Sequence, residues 1–244
     1  MNTLPGILLI ALLTVSAQAQ TPAPLAKSTP SPTPAPLTVK PGPFTYKMPL
    51  KAIAGTRRDV DAGTRGWSAK LPSVYALAPD HTGLTTSGQP SLFWYQSGPA
   101  NTPIEVTIIE PHKPGKILRV GADTAEQGGI HRLPLERYRV TLSPGVVYKW
   151  TVSLILDPAN RSQDLIASDT IERIAPDAQL AAALTTAKGL DKAAIYAGKG
   201  IWYDALEAVT NEIDASPKNK EHRLLRAALL DQAGLKAAAA SERK

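Results

Sequence analysis

From residue 57 to residue 175 the chain runs in short β-type stretches separated by Gly and Pro, and after Pro176 alanine-rich helical sequence takes over. A period that changes once, from two residues to about 3.6, requires sheet to be built first and helices to be added after it. That is the α+β class. Seven β-type runs stand out, at 73–78, 92–95, 104–110, 117–120, 138–142, 146–156 and 166–174. Each is bounded by turn-forming residues. In the sixth, Tyr148, Trp150, Val152, Leu154 and Leu156 share one face, while Lys149, Thr151 and Ser153 share the other, the signature of a half-buried strand. Ile104, Val106 and Ile108 alternate in the same way. Seven short strands joined by turns predict an antiparallel β-sandwich over residues 44–175.

A local pattern refines that expectation. Leu142-Ser-Pro-Gly-Val-Val-Tyr148-Lys-Trp150 resembles a tyrosine corner, in which a Tyr entering a strand hydrogen-bonds back to the preceding turn. Fibronectin type III and immunoglobulin-like sandwiches use such corners, so the resemblance implies that architecture. A fold of this kind carries no activity with it.

Beyond Pro176, helices are predicted near 178–188, 191–197, 200–215 and 220–233, with Asp177 as the first N-cap. Ile201, Trp202, Ala205, Leu206, Val209 and Ile213 form the apolar stripe of the third, and Asp204, Glu207, Asn211 and Asp214 point away, with Tyr203 on their side. Residues 176–237 thus read as a small helical hairpin region, and 238–244 as a disordered tail.

The N-terminus reads as an export signal over residues 1–19: an apolar run at 7–15 precedes Ala17-Gln18-Ala19, and cleavage is expected after Ala19. The n-region lacks Lys and Arg, but the run is too short to span about 30 Å of hydrocarbon, which favours cleavage over a stable membrane span. A periplasmic or secreted location follows. Residues 20–43 hold much of what makes the chain's 22 prolines an excess and read as a disordered polyproline spacer.

Composition removes several chemistries. The chain has no cysteine, which excludes disulfides, zinc thiolate sites and thiol nucleophiles. Its net charge of +6 is spread over single residues and pairs such as Arg57-Arg58, unlike the clustered stripe that binds nucleic acid. The histidines, His81, His112, His131 and His222, show no metal-ligand spacing, and GxSxG, Walker and GxGxxG motifs are absent. Ser241 and Lys244 satisfy SxxK only at the end of the chain, and Asp59 and Asp61 lack the further ligands of a calcium loop. Glu105, Glu110, Asp157 and Asp164 are single carboxylates. No cofactor, metal or catalytic residue is predicted.

Binding residues are easier to nominate. Phe93-Trp94-Tyr95 places aromatics on both faces of a strand, so Trp94 or Tyr95 could stack on a sugar or anchor a partner. Tyr203 and Asp204 invite a contact from a polar helical face, most simply with the sandwich. Arg57 and Arg65 could grip a carboxylate or phosphate.

Two resemblances add to this reading. Tyr196-Ala-Gly-Lys-Gly200-Ile-Trp-Tyr-Asp-Ala205-Leu, ending at Pro217, resembles a tetratricopeptide helix pair, and Leu230 and Gly234 restart the pattern once. Arg57-Arg58, Gly63-Thr-Arg65-Gly66, Leu77-Ala-Pro79, Pro90-Ser-Leu-Phe93-Trp94-Tyr95, Tyr148-Lys-Trp150 and Tyr196 to Asp204 together resemble the bacterial domain-of-unknown-function family numbered nine hundred and twenty-eight. That resemblance covers roughly residues 55–235 and implies an envelope location. The leading expectation is a non-enzymatic module that binds an unknown envelope protein. The alternatives are a module for glycan or cell-wall polysaccharide, and a hydrolase.

Overall fold

Alternation along the strands and alanine along the helices produce the elements of the computed structural model, which describes residues 45–50, 53, 55, 71–110, 113, 116–122 and 127–244. The expected signal peptide, the proline-rich spacer, and Arg57, Arg58 and Arg65 lie outside the described residues. The strands are β1 (Val74–Ala76), β2 (Gly83–Thr85), β3 (Ser91–Gln96), β4 (Ile104–Ile109), β5 (Lys116–Ala122), β6 (Gly129–Pro134), β7 (Val147–Leu154) and β8 (Leu165–Arg173). The helices follow as α1 (Ala178–Thr186), α2 (Leu190–Gly198), α3 (Trp202–Ala215), α4 (Lys220–Gln232) and α5 (Lys236–Glu242). The chain is therefore α+β, with one sheet ordered β1-β3-β6 and a second ordered β2-β8-β7-β4-β5.

The alternation in β7 does what its pattern requires. Tyr148, Trp150, Val152 and Leu154 are all buried, and the last three lie opposite Ile108, Val106 and Ile104 of β4. Stacking apolar side chains across neighbouring strands is the unit of sheet stabilisation. At the entrance to β7 the Tyr148 hydroxyl accepts a hydrogen bond from the Ser143 N–H at 3.1 Å, the bond of a tyrosine corner.

Several expectations need correction. The sheets are not wholly antiparallel: β2 runs parallel to β8, with Gly83 beside Ile171. These strands come from opposite ends of the sheet region, so no short hairpin dictates their direction. The run at 138–142 is no strand. A 3-10 turn occupies Leu135–Tyr138 and Arg139 closes it at a φ of 54°, which ends any extended conformation there. Two strands were not foreseen, β2 because it has three residues and β6 because its sequence, GIHRLP, alternates weakly.

The helical part is larger than a hairpin. Asp177 caps α1, its carboxylate accepting from the Leu180 N–H at 2.6 Å. The supposed disordered tail is mostly α5, whose Ala238 and Ala239 pack into the core while Glu242 pairs with Arg226 of α4. The α2–α3 and α4–α5 connections repeat one geometry: Gly200 and Gly234 take φ values of 74° and 73°. Each is followed by the same bond, Ile201 N–H to the Tyr196 carbonyl and Leu235 N–H to the Leu230 carbonyl.

Helix α3 joins the layers, lying against both β2 and β3. Its stripe is buried as expected, but so are Tyr203 and Asp204. A helix packed by sheet on one side and by α2 and α4 on others has no wide polar face left.

Candidate functional site

A groove of about 830 Å³ lies between the β3–β6 ladder and helices α3, α4 and α5. Its floor follows from strand alternation. Phe93 and Tyr95 of β3 stand opposite Arg132 and Ile130 of β6, and all four line the groove. Helix α3 contributes Thr210, Ile213 and Asp214, helix α4 contributes Arg223 and Arg226, and helix α5 contributes Ser241 and Glu242. Arg137, in the turn after β6, stands at the rim with Lys244.

Two of these cations are held by acids. Arg226 donates to Glu242 at 2.7–2.8 Å and to the Thr210 hydroxyl at 3.2 Å, and both side chains of the ion pair are almost fully buried. Burial pulls the Arg226 pKa below its ordinary value, and Glu242 beside it opposes the shift. Arg132 bridges to Asp214 at 2.9 Å and donates to Asn211 at 2.8 Å. Arg137 and Arg223 are exposed and form no ion pair among the described residues.

Among the described residues nominated for binding from sequence, only Tyr95 lines this groove. It is 8% exposed and stacks on Tyr75 at 6.0 Å. Trp94 projects from the other face of β3, is 3% exposed, and stacks on His131 at 5.3 Å. Burial lowers the pKa of that histidine. Tyr203 is fully buried: it accepts from the Trp150 indole N–H at 2.8 Å and donates to the Thr170 carbonyl at 3.3 Å. Asp204 accepts from the Thr86 hydroxyl at 2.6 Å and from its backbone N–H at 3.1 Å. Burial raises the Asp204 pKa, and the hydrogen bonds from Thr85 and Thr86 partly offset that. Tyr203 and Asp204 therefore pin α3 to the sheets.

The sequence profile of a family described as Domain of Unknown Function (DUF928) matches residues 55–243. The chain belongs to this family. The DUF928 match contains both sheets, all five helices and every groove residue named above except Lys244. No curated protein matches the chain. Among the described residues no cluster of His, Asp and Glu could hold a metal ion, and no helix is long and apolar enough to cross a membrane.

An array that sequence reasoning missed ties Tyr46, just outside the DUF928 match, to Asp80 and His81 within it. The Tyr46 hydroxyl meets His81 Nε2 at 2.9 Å, and His81 Nδ1 meets an Asp80 carboxylate oxygen at 3.0 Å. Carboxylate, imidazole and hydroxyl stand in the order of a catalytic relay. The hydroxyl is a phenol, however, and burial together with Asp80 pushes its pKa above the usual tyrosine range, which makes it a poor nucleophile. The array works mechanically. It holds Tyr46 edge-on to Trp202, with ring centres 5.1 Å apart, while the Lys47 N–H bonds the Ala197 carbonyl at 3.0 Å. A Cβ at Gly200 would come within 2.5 Å of the Lys47 carbonyl, so the α2–α3 turn and this segment require glycine there. A tyrosine more than thirty residues from its histidine gives no sequence signal.

Proposed function

We propose that this chain is an exported, non-enzymatic protein-binding module of the cell envelope, and that a partner docks in the groove shared by β3, β6 and α3–α5. One observation carries the reading: the groove is built by the sheet and the helices together, so its shape depends on the whole domain. Both groove carboxylates, Asp214 and Glu242, are tied to arginines rather than set as a free acid and base. That arrangement favours binding over glycoside hydrolysis, where two carboxyl groups must be available. The sugar-platform alternative drew on Trp94, Tyr95 and the basic balance, and both rings are interior, at 3% and 8% exposed, which argues against it.

We read the two sheets as the layers of a sandwich of the fibronectin type III or immunoglobulin kind, supported by the Tyr148 corner bond. We read α2–α3 and α4–α5 as tetratricopeptide-like pairs. Their matching glycine turns recur at about 34 residues, the period of that repeat.

The test is affinity capture from envelope extract with three baits: the unaltered chain, Arg137→Glu in the groove, and Lys188→Glu in the loop between α1 and α2. A partner retained by the first and third baits and lost from the second is the expected result. Equal capture by all three would place docking elsewhere.

A further inference from the structure

The groove's charge has a direction. Its two acids are engaged by Arg132 and Arg226, while the exposed guanidinium groups of Arg137 and Arg223 form no ion pair among the described residues. What the lining leaves uncompensated is positive, and guanidinium forks bind carboxylates bidentately. The strand that floors the groove also presents a backbone edge: β6 ends its sheet, and among the described residues it pairs with β3 alone. An edge of six residues offers N–H and C=O groups at the spacing of another polypeptide. The aromatic rings of the floor offer no such opening to sugars, since Phe93 is fully buried and Tyr95 is 8% exposed.

Given that the groove is the docking site, we propose that it takes an acidic peptide segment, extended along β6, with its carboxylates on Arg137 and Arg223. Uncompensated charge selects the side chains, and the open strand edge selects a polypeptide over an anionic polysaccharide.

The test is fluorescence anisotropy on the purified chain with labelled octaglutamate, against octalysine and an uncharged Gly-Ser octamer. The account expects octaglutamate alone to bind, and raised salt to weaken it. The double variant Arg137→Glu/Arg223→Glu should weaken binding at least about tenfold, and Arg137→Lys/Arg223→Lys, which keeps the charge but loses the fork, should weaken it less than the reversed variant does. An oligogalacturonate of equal charge should compete at least about tenfold less well than unlabelled octaglutamate. Both arginines are exposed, and circular dichroism melts serve as the check that the variants fold. The proposal is overturned if octaglutamate fails to bind, binds equally to the reversed variant, or is displaced equally by oligogalacturonate. Affinity capture that still depends on Arg137 after such a failure would leave the docking site standing and remove only its preference for acidic peptide.

Discussion

Tyr203 shows how one side chain ties helix to sheet. Its hydroxyl accepts the hydrogen bond of the Trp150 indole N–H in a fully buried setting, and no other acceptor meets that N–H among the described residues. Tyr203→Phe leaves that donor unsatisfied, which costs about 1–3 kcal/mol and lowers the urea midpoint. Spacing along α3 places Tyr203 with Asp204 and Glu207, so a wheel assuming one buried face assigns it to solvent. Trp202, on the stripe, was legible for the same reason. Asp204 gives a pH prediction with a definite sign. Its folded pKa is raised, so the native state holds the proton more tightly than the unfolded chain does. The carboxyl's contribution is fully present below the unfolded value of about 3.9 and is lost as pH rises through the folded pKa. Urea midpoints between pH 4 and 7 should move in favour of Asp204→Asn as pH rises. A constant difference between the two proteins would contradict this.

Among the elements, α5 and β6 were the costly omissions, since β6 belongs to the sheet floor of the groove and α5 to the helical side facing it. Helix α5 has seven residues and begins with four alanines after Lys236. Without neighbours so short a helix is marginal, and only tertiary contact makes it persist. The Arg226–Glu242 pair is one such contact, beside the packing of Ala238 and Ala239. Glu242→Ala strands a buried guanidinium and should cost about 3–5 kcal/mol in urea unfolding, whereas Arg226→Met/Glu242→Leu, which removes both charges, should cost much less. Equal losses would mean that the pair does not hold α5. Strand β6 escaped notice because its alternation interleaves His131 and Arg132 with the apolar positions, and its ladder partner is distant in sequence. By contrast β4 and β7 were readable, since long runs with alternation fix both their type and their buried face. Tyr148→Phe tests the corner at the head of β7: loss of the bond from Ser143 should cost about 1 kcal/mol.

At the scale of the molecule, the sequence separated sheet from helix at Pro176 but could not show that the two would enclose a common groove. Arg132 and Arg137, in β6 and the turn after it, lie far along the chain from Arg223 of α4, so the three looked like scattered charges, and only the packing of α3–α5 over β3 and β6 gathers them. The functional claim rests on that gathering, and site-specific photo-crosslinking in intact envelopes tests it most directly. A photoreactive residue is placed at position 137 in the groove, at position 223 across from it, and at position 188 outside it. The account predicts one and the same protein partner crosslinked from 137 and 223 and absent from 188. A partner captured from 188 alone, or from all three positions alike, would contradict it.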